Sequence, residues 1–67
     1  MERFRKIERE ELERWIMQNA NVGNARLMWS KLMGYCMMNG IRIGSLEEIG
    51  IKNYKDFEKL LKKLNII

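Results

Sequence analysis

The sequence contains no histidine and no proline, and Cys36 is its only cysteine. Histidine is the usual general base near neutral pH and the commonest metal ligand, so its absence argues against both kinds of site. A single cysteine cannot supply a typical zinc site, and it cannot form a disulfide within the chain. These absences exclude a secreted disulfide scaffold and predict a cytoplasmic protein without a metal or another cofactor.

Long apolar runs and nucleotide-binding loops are also missing. No run approaches the roughly 20 apolar residues that span a bilayer, so we expect no membrane-spanning helix. The N-terminal MERFRKIERE has no apolar core, and we expect no signal peptide. Neither GxxxxGKS/T nor GxGxxG occurs, which excludes the phosphate-binding loops that these motifs form. We therefore predict that the chain is not an enzyme, binds no small-molecule substrate and has no membrane partner.

Of the 67 residues, 46% are hydrophobic and 33% are charged. This balance is typical of a single folded domain, residues 1–67, near the lower size limit for one core without cross-links. The net charge is +4 and is unevenly distributed. Residues 1–20 are neutral overall, residues 21–44 hold three basic residues and no acid, and residues 45–67 hold five lysines against four acids. A small basic protein of this kind is compatible with nucleic-acid binding but does not require it.

The hydrophobic periodicity predicts an all-α fold, a small orthogonal bundle of three main helices. The first helix is expected at about residues 2–19, with a charged outer face. Glu11 lies within its apolar arc, which leaves open a start nearer Glu8. The side chains on its apolar face are Phe4, Ile7, Leu12, Trp15 and Ile16.

Polar residues and glycine mark the ends of the other two main helices. The second is expected at about residues 25–38, with Asn24 or Asn21 as its N-cap and Gly40 in a left-handed conformation after its end. The third is expected at about residues 54–64, with Asn53 as its N-cap.

The segment between them predicts one more element. Ser45 and Glu48 have the spacing of a capping box, which predicts a short helix near residues 46–49. The preceding IRIG is expected to be an extended linker that places Ile41 and Ile43 in the core; a very short strand is the alternative. The C-terminal Ile66 and Ile67 are expected to fold back onto the core as well.

The second helix is apolar nearly all round, with only a narrow polar stripe at Arg26, Ser30 and Gly34. Two amphipathic helices cover only part of such a helix, so we expect an exposed methionine and aromatic patch that binds another protein or a second copy of the chain, as a homodimer. Full burial of this helix in the core is the alternative. The predicted protein-binding residues are Met28, Trp29, Met33, Tyr35 and Met37.

DNA binding is a second functional hypothesis. The C-terminal segment is similar to a helix-turn-helix that ends in a lysine-rich helix. Asp56 and Glu58 interrupt its basic face, and it contains no arginine, the residue that most often contacts bases. The predicted nucleic-acid-binding residues are Lys52, Lys55, Lys59, Lys62 and Lys63, with Arg26, Lys31 and Arg42 in support.

The segment LEEIGIKNYKDFEKLLKKL resembles the end of a sterile alpha motif domain, in which an L-x-x-I/L-G-I/L turn precedes the last helix. Trp15 in ELERWI is similar to an early tryptophan of that family. Similar turns occur in helix-hairpin-helix modules that bind DNA backbone. The methionine-rich second helix departs from the short middle helices of the sterile alpha motif. Both resemblances imply a binding module and not an enzyme.

Overall fold

The computed structural model describes residues 3–67 and is all-helical. Three α-helices form the domain: α1 at Arg9–Gln18, α2 at Ala25–Met38 and α3 at Tyr54–Lys63. Two 3-10 helices, Ala20–Val22 and Ile43–Ile49, lie in the connections between them. Residues 3–67 contain no β-strand. The predicted all-α fold with three main helices is confirmed.

The ends of α2 and α3 follow the local signals in the sequence. The side-chain oxygen of Asn24 accepts a hydrogen bond from the Leu27 N–H at 2.9 Å, and that of Asn53 accepts one from the Asp56 N–H at 3.1 Å. Each cap satisfies an N–H group that has no partner within its own helix. Gly40 has a φ of 64° and directs the chain away from the end of α2, as predicted.

The first helix begins at Arg9 with Glu8 as its N-cap, which agrees with the alternative start nearer Glu8 and not with a start near residue 2. The preceding residues 3–7 form an extended arm, which we call the N-terminal arm. The N–H of Arg5 donates to the carbonyl of Gly40 at 2.8 Å, and the N–H of Arg42 donates to the carbonyl of Arg5 at 2.8 Å. These long-range hydrogen bonds replace the helical ones that the periodicity predicted. Residue 2 lies outside the described residues.

The predicted capping box at Ser45 and Glu48 does not form. Ser45 is buried within a 3-10 helix that begins at Ile43, and Arg42 is the N-cap. The Ser45 hydroxyl accepts a hydrogen bond from the Ile7 N–H at 3.0 Å and donates one to the Arg42 carbonyl at 2.6 Å. The serine therefore joins the N-terminal arm to the 3-10 helix instead of starting a short α-helix.

A single stripe of α2 lies in the core, and α2 packs mainly against α3. The stripe consists of Ala25, Met28, Leu32 and Cys36, which are spaced three or four residues apart. Apolar residues elsewhere on this helix are partly covered or exposed to solvent. The other core residues are Ile7, Leu12, Trp15, Ile16, Ile41, Leu46, Ile51, Phe57, Leu60 and Leu61.

Two of the isoleucines expected in the core are exposed. Ile41 is buried as predicted, whereas Ile43 is 44% exposed. Ile66 packs against the core, whereas Ile67 is exposed. Ile43 begins a 3-10 helix that ties Ser45 to the N-terminal arm, and its own side chain is left at the surface.

Candidate functional site

The five predicted protein-binding residues have different environments. Met28 is completely buried, so it belongs to the core and is removed from the candidate surface. Trp29 and Met33 are partly buried against the core. The Trp29 ring lies 5.3 Å from the Phe57 ring, measured between centroids, so it mainly joins α2 to α3. Met37 is 72% exposed and is the predicted residue that is most available to a partner.

Tyr35 is part of a polar cluster that connects three segments. Its hydroxyl donates a hydrogen bond of 2.6 Å to the Glu11 carboxylate. The same carboxylate accepts two hydrogen bonds from the Arg5 guanidinium, at 2.7 and 2.8 Å. The Tyr35 ring also contacts Trp15, with 6.0 Å between centroids. The cluster holds the N-terminal arm against α1 and α2.

The charges in this cluster shift its pKa values. The Arg5 guanidinium is the main reason why the pKa of Glu11 is lowered to about 2, and the Tyr35 hydrogen bond acts in the same direction. Partial burial opposes both effects. Hydrogen bonding to the Glu11 carboxylate in turn raises the pKa of Tyr35. Glu11 is therefore ionised in the folded protein at neutral pH.

An open groove of about 260 Å³ lies where the N-terminal arm meets the end of α2; we call it the apolar groove. Four apolar residues line it, together with Arg42: Phe4, Met37, Ile41 and Ile43. The buried Ile41 forms its floor, whereas Phe4 is 58% exposed at its edge. The apolar groove is the best candidate for a contact surface because it groups large exposed apolar side chains around one concavity.

Sequence reasoning identified Met37 but missed Phe4 and Ile43 as surface residues. The spacing of Phe4 places it on the buried apolar face of the predicted first helix. Only the arginines on either side of it, Arg3 and Arg5, indicate a position at the surface. Ile43 alternates with Arg42 in the short IRIG segment. Both residues join Met37 through the arm hydrogen bonds of Arg5, which local spacing does not reveal.

The basic residues near the apolar groove are only partly paired. Arg5 forms its ion pair with Glu11 at 2.7 Å, and Arg42 forms one with Glu48 at 3.3 Å. The second pair is solvent-exposed on both sides, and exposed pairs of this kind contribute little stability. Carboxylates from outside the molecule can therefore compete for Arg42.

The eight predicted nucleic-acid-binding residues lie in several places. Lys59 and Lys63 line a second groove of about 230 Å³ together with Arg9; we call it the basic groove. Arg42 lies in the apolar groove, and the guanidinium carbon of Arg26 lies 4.6 Å from the centre of the Tyr54 ring. The remaining four, Lys31, Lys52, Lys55 and Lys62, are exposed.

The described residues do not favour a metal site, a reactive cysteine or a membrane-spanning helix. Residues 3–67 contain no group of three or more Cys, Asp or Glu side chains placed to hold a metal ion. Burial raises the pKa of the Cys36 thiol, which disfavours the reactive thiolate. Across the same residues, every helix is too short or too polar to cross a membrane.

Comparison with protein-family models, curated proteins and solved structures finds no match for this chain. The two grooves are the surface features of residues 3–67 from which a function can be inferred.

Proposed function

We propose that this chain is a non-catalytic helical binding module that acts through protein–protein contact. The apolar groove is its contact surface, and the observation that supports this choice is the exposure of Phe4, Met37 and Ile43 around a buried floor. Burial of apolar surface contributes about 25 cal/mol for each Å² removed from water. Methionine also adapts its shape to different partners. A partner side chain in this groove would bury all three residues.

This proposal changes the location that the sequence suggested for the interface. The sequence indicated the whole methionine-rich face of α2, but Met28 is in the core and Trp29 packs on α3. Only the last turn of α2 contributes to the apolar groove, through Met37. The partner is another protein or a second copy of the chain, in the cytoplasm. No membrane, cofactor or small-molecule substrate is part of the proposal.

The non-catalytic part of the proposal is supported by the side chains available. The sequence has no histidine, and its one thiol is buried in the core. Among the carboxyl groups of residues 3–67, Glu11 is the one with a clearly shifted pKa, and Arg5 holds it ionised. A general acid needs a raised carboxyl pKa, so this shift has the wrong direction for that role.

The test compares the wild-type chain with two matched variants. Met37→Glu places a charge in the apolar groove, and Met17→Glu makes the same change outside it. Both methionines are exposed, and each is the second-last residue of its helix. The variants therefore match in side chain, in charge and in position relative to the helix dipole.

Two measurements report protein contact. Light scattering over a range of concentrations measures self-association, and selection from a displayed random-peptide library measures binding of other chains. We expect dimers or peptides that bind the wild-type chain and Met17→Glu but not Met37→Glu. The proposed function is wrong if Met37→Glu reduces neither self-association nor the binding of any selected peptide.

Nucleic-acid binding remains the alternative because Arg9, Lys59 and Lys63 converge on the basic groove. Asp56 also lines that groove and opposes the binding of phosphate there. The test is titration with duplex DNA at increasing salt. A plot of the logarithm of the binding constant against the logarithm of the salt concentration should lose about one unit of slope for each lost phosphate contact. Lys63→Glu should weaken binding more than Lys62→Glu, since Lys62 lies outside the groove; equal effects or no binding would argue against this function.

A further inference from the structure

The charges around the apolar groove identify the kind of partner that fits it; this step depends on the proposed function. Phe4 of residues 3–7 lines the groove, and the other four lining residues belong to residues 37–44. These two segments contain four of the thirteen basic residues and none of the nine acidic ones. The remaining residues of the chain hold nine basic and nine acidic groups. The whole net charge of +4 is therefore carried by the segments that form the apolar groove.

Two of these four charges have partners within the molecule. Arg5 is held by Glu11 in a bidentate pair, and Arg42 makes an exposed pair with Glu48. Arg3 and Lys6 are exposed, and they form no ion pair with a carboxylate of residues 3–67. The N-terminal arm, which supplies Phe4 to the groove, thus also carries two positive charges that have no ion-pair partner among residues 3–67.

The geometry points to an acidic segment of another protein as the partner. One large apolar side chain of that segment enters the groove above Ile41, and its flanking carboxylates reach Arg3, Lys6 and Arg42. The apolar contact supplies affinity, and charge complementarity supplies specificity and a faster association rate.

A second copy of the chain fits this surface less well, although the sequence suggested a homodimer. A twofold dimer places the same patch of both copies face to face. The groove segments of the two copies would then bring like charges together, within the Debye length of about 8–10 Å at physiological salt. Like-charge contacts of this kind work against association.

The shape of the groove also distinguishes a protein segment from other anionic partners. A lipid surface would contact the exposed side chains of Phe4 and Met37 but would leave the concavity above the buried Ile41 unfilled. Nucleic-acid backbone offers no apolar side chain to fill the space. An acidic peptide supplies both the inserted side chain and the negative charge.

The test uses a displayed random-peptide library, with Met37→Glu for counter-selection. We expect the retained peptides to carry an apolar residue flanked by Asp or Glu. A synthetic copy of a retained peptide should bind about ten-fold more weakly to Met37→Glu and to Lys6→Glu, and its affinity should fall with salt. Met17→Glu and Lys55→Glu make the same changes away from the groove and should leave binding unchanged.

The other outcomes separate this inference from the proposed function. Retained peptides that are neutral or basic, or a dimer that depends on Met37, would overturn the acidic partner but keep a protein-binding groove. If no peptide and no dimer depends on Met37, both proposals are wrong. Groove-dependent binding to vesicles of phosphatidylcholine and phosphatidylserine in equal parts, without any retained peptide, would assign the surface to a membrane and overturn both. Circular dichroism confirms that each variant is folded.

Discussion

The hydroxyl of Tyr35 donates a hydrogen bond of 2.6 Å to a carboxylate oxygen of Glu11. This carboxylate also holds the Arg5 guanidinium, so one side chain of α1 connects α2 to the N-terminal arm. Phe4 precedes Arg5 on that arm and lines the apolar groove. The position of the arm, and with it the shape of the groove, therefore depends on a polar cluster behind it.

Removing the Tyr35 hydroxyl tests this dependence. Tyr35→Phe keeps the ring but deletes one hydrogen bond to a charged acceptor, and we expect the free energy of unfolding to fall by about 1 kcal/mol. Urea denaturation followed by circular dichroism measures the change. Tyr54→Phe is the matched control because its hydroxyl makes a longer contact of 3.4 Å with Glu58 within the same helix. Equal effects of the two substitutions would show that the cluster has no special role.

Acid should weaken the same cluster. The pKa of Glu11 is lowered to about 2 in the folded protein, chiefly by Arg5, whereas an unfolded glutamate titrates near 4.3. Because the pKa of Glu11 is lower in the folded chain than in the unfolded chain, ionised Glu11 stabilises the fold. This stabilisation is complete above the unfolded pKa and is lost as the pH falls from about 5 to 2. Solvent screening reduces its size, since the Arg5 side chain is half-exposed.

The measurement compares urea denaturation midpoints of the wild-type chain and Glu11→Gln between neutral pH and acid. It checks whether the stabilisation by Glu11 decreases as the pH falls. The difference between the two should be largest near neutral pH and should shrink in acid. Glu13→Gln is the control, because Glu13 pairs with Arg9 on the exposed face of α1. A difference that is constant with pH would contradict the assignment.

The hydrogen bond from Ile7 to Ser45 gives a third prediction. Ser45→Ala leaves the buried N–H of Ile7 without a partner, and this should cost about 1–3 kcal/mol of unfolding free energy. Ser30→Ala is the control because Ser30 is exposed on α2. If Ser45→Ala is as mild as Ser30→Ala in urea denaturation, the hydrogen bond does not tie the arm to the domain.

Local and long-range interactions explain what the sequence could predict. Asn24 and Asn53 cap their helices through residues three positions later, so local spacing could predict both caps, with Asn21 as the alternative to Asn24. Ser45 and Glu48 have an equally good local signal, yet the serine hydroxyl is used by Ile7, 38 residues earlier. A local pattern was overridden by a long-range hydrogen bond.

The same limit applies to the candidate site. Taken in order along the sequence, the first twenty residues look neutral, because the three bases of the N-terminal arm are balanced by Glu2, Glu8 and the net charge of −1 on α1. The fold pairs the arm with Ile41 and Arg42, and so brings its positive charge beside the apolar groove. Met37 could be identified from composition, whereas the charge around it could not.

Gly34 offers a stabilising substitution. This glycine lies inside α2, and a Cβ added there would have no neighbour within 4 Å. Gly34→Ala should therefore raise the free energy of unfolding by about 0.5–1 kcal/mol, because alanine loses less backbone entropy in a helix. Gly50→Ala is the opposite control, since its φ of +91° disfavours any side chain. Thermal denaturation should show that Gly34→Ala raises stability and Gly50→Ala lowers it. A change in the same direction for both would contradict the open helical position of Gly34.

The thiol of Cys36 should report on the integrity of the core. Its side chain is completely buried on the core stripe of α2, and burial raises its pKa, so both access and thiolate formation are hindered. We expect a thiol reagent to label the native chain far more slowly than the urea-unfolded chain.

Phe57→Ala should accelerate labelling, because loss of this buried ring costs about 3–5 kcal/mol and populates open states. Met37→Glu should not accelerate it, since the change lies at the surface. Rapid labelling of the folded wild-type chain would mean that the stripe of α2 is accessible to solvent, and that the residues of α2 which face a partner would have to be assigned again.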